Sequence, residues 1–458
     1  MSDFSEIHIA ELGFTITGKT PSSKNPEDFG VDYMFITPSD SFDNKTIYYT
    51  NRYLSREGLN KLKGKKLPAK SVLVSCIGSA MGKVTMNNSI SVTNQQINSI
   101  IVNSKFDADY VYYCLKNNYK LLRNAASGST ALPMLNKTDF DKLKLVIHNN
   151  KSYQTQIAKV LSDLDAKIEL NNKINAELEA MAKLIYDYWF VQFDFPFDFA
   201  QGKPKPDIKP YKSSGGKMVW NEDLKREVPV GWKHGTIKSW IGKDKSGDWG
   251  KASVEGNYIK RVSCIRGADI NGLNGTGEVK APTRFILEKN DHKILDKGDL
   301  VVEISGGSPT QSTGRLAFII DKTLERFEDP LICSNFCKAL TLKEPESLYN
   351  FVYLWNRLYD EGVLFGWEGK TSGIKNLLFD SFVSNYKVVL PPKDLMKKFH
   401  KNSHPIHSKI QKNLKENKKL AELRDWLLPM LMNGQVKVTS QEETLNMAAE
   451  PQAKYGKE

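Results

Sequence analysis

Residues Gln154–Trp189 read QTQIAKVLSDLDAKIELNNKINAELEAMAKLIYDYW, with apolar side chains at Ile157, Leu161, Leu164, Ile168, Ile174, Leu178, Met181, Ile185 and Trp189. Steps of three or four residues place these on one stripe of a helix. Neither Gly nor Pro interrupts the run. Thirty-six residues at a rise of about 1.5 Å each make a rod of roughly 54 Å. That length predicts a helical hairpin or coiled coil rather than an ordinary surface helix.

The second half of the chain repeats the first. NKINAELE begins at Asn172 and NKKLAELR at Asn417, 245 positions later (417 − 172). Ser127-Gly128 and Ser372-Gly373 lie at the same separation (372 − 127 = 245). Two anchors at one offset predict a duplicated unit of globular part plus long helix. Residues 1–150 form a first globular part and 151–192 a first long helix. Residues 193–228 are a linker, packed at its aromatic start and extended after it. Residues 229–392 form a second globular part, 393–436 a second long helix and 437–458 a disordered tail. Pro405 predicts a late start to regular helix in the last of these, and Pro429 a kink or an end. The apolar stripes Ile157, Leu161, Leu164, Ile168, Leu178, Ile185 and Ile410, Leu414, Leu420, Leu427 are the expected coiled-coil and subunit interface.

Each globular part reads as short strands and turns. In the first, the runs are Tyr33–Thr37, Thr46–Tyr49, Ser71–Ile77, Lys83–Met86 and Ser99–Val102, followed by a helix from Asp107. In the second they are Tyr258–Val262, Leu300–Ile304, Leu316–Ile320 and Lys338–Leu342, followed by a helix from Tyr349. Gly78–Lys83 lacks the Gly-Lys-Ser/Thr pattern of a phosphate loop and reads as a tight turn.

The chain has 458 residues, 65 Lys and Arg against 53 Asp and Glu, and a formal charge of +12. Such an excess favours a polyanionic partner, with nucleic acid first and anionic membrane second. No run of eighteen apolar residues is present, which predicts no membrane span, and MSDFSEIHIA does not read as a secretory signal. Cys76, Cys114, Cys264, Cys333 and Cys337 read as buried, reduced thiols of a cytoplasmic protein, without metal-ligand spacing. No catalytic or cofactor-binding constellation stands out: there is no dinucleotide turn, no His-Glu-x-x-His and no Asn/Asp-Pro-Pro-Tyr/Phe segment.

Three stretches carry a family resemblance: QIAKVLSDLDAKIELNNKINAELEAMAKLIYDYWF (Gln156–Phe190), PYKSSGGKMVWNEDLKREVPVGW (Pro210–Trp232) and ENKKLAELRDWLLPMLMNGQV (Glu416–Val436). Together with Thr93-Asn94-Gln95-Gln96, they make the chain similar to the specificity subunit of type I restriction-modification systems. The resemblance implies an α+β chain with two β-rich target recognition domains, joined and separated by two long antiparallel coiled-coil helices in a pseudo-two-fold repeat. It implies a non-catalytic subunit that binds double-stranded DNA, each head reading half of a split asymmetric site. The helices would set the spacer and dock two modification subunits. Those subunits would supply S-adenosylmethionine and adenine methylation, and a restriction subunit ATP-driven translocation and Mg-dependent cleavage; no membrane and no cofactor of the chain's own are implied.

The expected DNA contacts are hydroxyls, amides and cations on loops. In the first head they are Ser39, Lys83, Asn94, Gln95, Gln96, Ser129 and Thr130. In the second they are Lys260, Arg261, Arg266, Thr310, Gln311, Arg315, Lys370 and Thr371. Lys and Arg would position the heads on phosphates, while amides, hydroxyls and Arg would read base edges. Trp249 and Trp367 lie in Gly-rich loops and are expected to satisfy local cores, with DNA contact as the alternative. A coiled-coil adaptor without DNA specificity is the alternative; it explains the helices but neither the charge nor the duplicated heads.

Overall fold

A computed structural model of the chain describes residues 3–22, 24–40, 42–125, 134–197, 209–308, 310–371 and 373–438, leaving aside the side chains of 370 and 371. Ser127, Gly128, Ser129, Thr130, Ser372 and the tail from 439 lie outside the described residues. The chain divides into two compact units, one of Met1–Ile168 with Lys419–Glu458 and one of Glu169–Lys418.

The long helix forms as its uninterrupted run requires. It spans Lys151–Tyr186 and continues into a single wider turn at Asp187–Val191. Asn150 caps it, accepting from the Tyr153 amide at 3.2 Å. Gln154 then ties the helix to the first head, donating to the His148 carbonyl (2.7 Å) and accepting from the Asp107 amide (3.0 Å).

The first head carries two sheets. One has the order Gly13–Thr17, Ile97–Val102, Val72–Ser75, Val84–Asn87 and Thr46–Ile47; the other runs Phe29–Gly30, Tyr53–Leu54, Tyr33–Ile36 and Ser91–Thr93. Phe4–His8 pairs antiparallel with Lys144–His148, so the head begins and ends side by side. Gly78–Ala80 is a tight turn between two sheet strands. The core gathers Tyr110, Val111 and Leu115 from the helix Ala108–Asn117, Ile157 and Leu161 from the first long helix, and Leu428, Leu431 and Met432 from the second.

The second head repeats this plan. Ile241–Ser246, Cys337–Leu342, Asp299–Glu303 and Leu316–Phe318 form one sheet; Thr283–Leu287, Tyr258–Ile265 and Leu331–Cys333 form the other. Lys233–Thr236 pairs with Lys387–Leu390 as the closing ladder. One three-stranded sheet, Ser305–Gly306, Ile374–Leu377 and Glu368–Thr371, is added to it.

Two expectations are corrected here. The second long helix is continuous over Lys393–Met432, so Pro405 sits inside it, while Pro429 lies in its last turn, in keeping with an end there. Burial of Leu395, Met396 and Phe399 in the second unit's core holds the turn before Pro405 helical despite the missing amide. The linker is not extended in its described part. Pro196–Phe197 pairs with Lys209–Pro210, and Met218–Asn221 with Arg226–Pro229. Stacking of Phe195 on Tyr211, with ring centroids 4.8 Å apart, anchors the first hairpin.

The helices meet differently from the apolar stripe. Ile157 and Leu161 are buried in the first head's core and Ile410 is also buried, whereas Leu164, Ile168, Leu178, Ile185, Leu414, Leu420 and Leu427 are half-buried. Within the second unit the helices also meet through polar side chains, asparagine amides above all. Asn413 donates to Asn175 (2.8 Å), Asn171 to both Glu416 and Asn417 (2.9 Å each), and Asn417 to Asn172 (2.8 Å). As one residue number rises the other falls, so the helices run antiparallel. Buried amides that bond only in one alignment fix register.

The second unit has a built-in pH response. His407 is buried, stacks on Tyr349 with ring centroids 4.8 Å apart and sits 3.1 Å from the Tyr353 hydroxyl. Burial, with His404 adding to it, pushes its pKa down to about 3. Glu179, 3.7 Å away, is itself held protonated more readily by desolvation and is a poor counter-ion. The folded state therefore refuses a proton that the unfolded chain accepts below about pH 6.5. Stability is full above that pH and falls toward pH 3, by about 1.4 kcal/mol at pH 5.5. Denaturant titrations at pH 7.5 and 5.5 should show this loss in the wild-type chain and a smaller one in His407→Leu.

Candidate nucleic-acid interface on the two heads

The same backbone hydrogen bonds recur in both heads and converge on one loop cluster in each. In the first, the Asn94 amide donates to Ile36 (3.0 Å), Lys19 to Thr93 (2.9 Å), Cys76 to Gln96 (2.8 Å) and Ser75 to Lys83 (3.0 Å). In the second, Ser334 donates to Ile265 (2.8 Å), Asp248 to Cys333 (2.8 Å), Ile304 to Phe336 (2.9 Å) and Glu303 to Arg315 (2.9 Å). Asp40 caps the Thr37 amide at 2.7 Å as Asp269 caps Arg266 at 3.0 Å. This bonding equates Thr20 with Trp249, Thr37 with Arg266, Lys83 with Arg315, Asn94 with Ser334, Gln95 with Asn335 and Gln96 with Phe336. One framework thus presents two unlike sets of side chains.

In the first head, Asn94 is buried and shapes its own turn, accepting from the Gln96 amide (3.1 Å) and donating to the Gln96 side chain (3.0 Å). Gln95 is exposed and accepts from Thr20 at 2.7 Å. Ser39 is exposed, its hydroxyl 2.7 Å from that of Thr37. Lys83 pairs with Asp43 at 2.6 Å.

In the second head every described cation of the expected set has a carboxylate partner. Lys260 pairs with Asp291 (2.5 Å), Arg261 with Asp329 (3.1 Å), Arg266 with Asp269 (2.9 Å) and Arg315 with Glu303 (2.7 Å). The pairs with Asp269 and Glu303 raise the pKa of Arg266 and Arg315 further above their ordinary value. Thr310 and Gln311 are exposed on the same loop as Ser308. Lys370 and Thr371 lie on the strand Glu368–Thr371.

Trp367 packs on Phe382 with ring centroids 5.4 Å apart, as a local core residue should. Trp249 does not follow that expectation. Arg284 stacks on its ring, the guanidinium carbon 3.9 Å from the centroid, and the indole edges a recess of about 570 Å³ shared with Phe336 and Ile374. Sequence reasoning missed Arg284, Phe336 and Ile374 as site residues. A Trp beside Gly247 and Gly250, in the loop equivalent to Gly18-Lys19-Thr20, was the available signal.

Among the described residues, no group of three or more His, Cys, Asp or Glu is placed to hold a metal. No helix among them is long and apolar enough to cross a membrane. The five cysteines are buried free thiols, and burial pushes Cys76, Cys114, Cys264 and Cys337 up to about 12, far from nucleophilic.

Two heads with one loop framework and divergent side chains, each joined to a long helix, describe a protein with two unlike copies of one binding scaffold. Comparison with known proteins shows what it is similar to. Residues 1–180 match the type I restriction modification DNA specificity domain. The MjaIX specificity subunit of Methanocaldococcus jannaschii is 24% identical over 442 residues, covering 94% of this chain and 93% of the relative. The HindI specificity subunit of Haemophilus influenzae is 41% identical over 140 residues, 30% of each chain. The crystal structure of a type I restriction-modification S subunit from M. genitalium shares the fold, with a TM-score of 0.56 at 17% identity, covering 95% of this chain and 97% of that one. The chain is thus similar over nearly its whole length to a type I restriction-modification specificity subunit, and residues 1–180 match the DNA specificity domain of such systems.

Proposed function

We propose that this chain selects the DNA site for a type I restriction-modification complex, each head reading one half of a bipartite asymmetric sequence. The observation that carries this reading is the shared hydrogen-bonded framework with Thr20, Gln95 and Gln96 on one copy and Trp249, Asn335 and Phe336 on the other. A scaffold kept while its exposed loop residues differ is what two readers of different sequences need. An adaptor without DNA specificity leaves the duplicated loop cluster without a role. The helices set the spacer between half-sites, with the asparagine ladder holding their alignment, and dock two modification subunits. The chain itself is non-catalytic. S-adenosylmethionine is bound by the modification subunits, and ATP and Mg by the restriction subunit.

Sequencing the host genome for methylated adenine, with and without this gene, tests the reading. Deletion should erase methylation at one split motif. Exchanging residues 1–150 for the head of another specificity subunit should then change one half of that motif and leave the other half and the spacer alone. A change in both halves would refute the assignment of one head to one half-site.

A further inference from the structure

Where the first head presents Thr20 and Gln96, the second presents Trp249 and Phe336 around a recess. Phe336, Trp249 and Ile374 are 55%, 37% and 43% exposed around the recess of about 570 Å³. Three large apolar side chains held open to solvent at one spot are uncommon on a basic protein surface and mark a contact site. Gly306 and Gly307 line the same recess, and a Cβ added at Gly307 would meet nothing within 4 Å, so backbone as well as side chain is open to approach. Asn335 stands at the rim as an amide beside the apolar wall.

Charge identifies the kind of partner. Arg284 lies flat on Trp249 and forms no ion pair among the described residues, unlike Lys260, Arg261, Arg266 and Arg315. Its Nε is buried without a hydrogen-bond partner. The ladder that places Arg284 opposite Val262 places Leu54 opposite Tyr33 in the first head, so an apolar residue stands there at the position of this cation. The charged groups lining the recess, Glu303 and Arg266, are already paired, whereas Arg284 is held on the indole at its edge. That guanidinium, with the Asn335 amide at the rim, suits a phosphate next to a base edge. In the major groove only thymine offers a methyl group, and apolar side chains read it. The first head presents amides at the corresponding turn, which suit hydrogen bonding to adenine instead.

We propose that the Trp249–Phe336–Ile374 recess is a thymine-reading site of the second head, with Arg284 contacting the adjoining phosphate. The inference rests on the DNA-reading function above. Its test uses the full chain and duplexes carrying the methylated motif, in which the thymines of the second half-site are replaced one at a time by deoxyuridine. Removing one buried methyl should weaken binding about fourfold at one position. Phe336→Ala should bind thymine and deoxyuridine duplexes equally, whereas Phe336→Leu, which keeps an apolar wall, should still discriminate. Arg284→Gln should weaken both duplexes alike and lower the salt dependence by about one phosphate contact. Unchanged affinity for every deoxyuridine duplex, or a second half-site free of A·T pairs, would overturn the thymine site while site-specific binding still upheld the broader function. Equal affinity for the motif and a scrambled duplex would overturn both.

Discussion

Replacing Arg424 by Met will destabilise the first unit by about 3–5 kcal/mol, the cost of leaving a buried carboxylate without its cation. Arg424 donates from Nη1 to Asp165 at 2.6 Å, and the Tyr113 hydroxyl donates to the other Asp165 oxygen at 2.5 Å. The Asp165 and Arg424 side chains are only 10% and 16% exposed, so solvent cannot replace either partner cheaply. The pair joins the first long helix to the second inside one unit. Asp165 holds the Arg424 pKa well above its ordinary value, whereas Lys116, close to both, is lowered by burial first and Arg424 second. Without Arg424, Asp165 keeps the Tyr113 hydrogen bond and a partly desolvated lysine. A melting shift of roughly 6–20 °C for that unit follows from the energy and a unit of this size. The double substitution Asp165→Leu, Arg424→Met should recover most of the loss, because exchanging a whole buried pair for apolar groups is close to neutral. A single-mutant loss below about 1 kcal/mol would mean the pair behaves as an exposed one.

The asymmetry between the ends and the middle of the helices explains what the sequence made visible. An uninterrupted run from Lys151 to Tyr186 was legible because nothing local opposes a helix there. At its ends the apolar stripe meets globular cores, as Ile157 and Leu161 do. In the middle, Asn171, Asn175 and Asn413 are buried although their type marks a solvated face, and only the partner helix explains them. Pro405 misled for the opposite reason: a strong local rule was overridden by the burial of Leu395, Met396 and Phe399. The repeat was legible as an offset of 245 between the helices. Inside the heads the same offset misaligns the copies, because Gly18 corresponds to Gly247 and Asn94 to Ser334, and loop lengths differ. Charge alone marks the loop cations in the sequence, which hides their neutralisers: Arg261 meets Asp329, 68 positions away (329 − 261). Nothing in the sequence marks Arg284, whose distinction is that no carboxylate among the described residues pairs with it.

The largest functional effect belongs to two glycines. Gly18 precedes Lys19, whose amide bonds Thr93 at 2.9 Å, and a Cβ on Gly18 would lie 2.1 Å from the Thr93 carbonyl oxygen and 2.3 Å from that of Asn94. Gly247 precedes Asp248, whose amide bonds Cys333 at 2.8 Å, and its Cβ would lie 2.0 Å from the Ser334 carbonyl oxygen. No flexible side chain can give way there; the obstacle is backbone already held by the sheet. Gly18→Ala must therefore push the loop bearing Thr20 away from the turn bearing Gln95 and Gln96. Gly247→Ala must separate Trp249 from Asn335 and Phe336. Each should cost its own head more than about 4 kcal/mol, the range reserved for severe backbone or core conflict. Because each glycine touches only its own head's turn, Gly18→Ala should abolish selection of one half-site and Gly247→Ala of the other. Both would be read as degenerate positions in the methylated motif or as loss of methylation altogether. Gly64→Ala and Gly366→Ala, whose Cβ atoms would meet nothing within 4 Å, are the matched controls and should leave the motif intact. If Gly18→Ala and Gly247→Ala blurred the same half of the motif, the two loop clusters could not be separate readers. Equal tolerance of all four substitutions would instead show that the close approach of loop to turn plays no part in reading DNA.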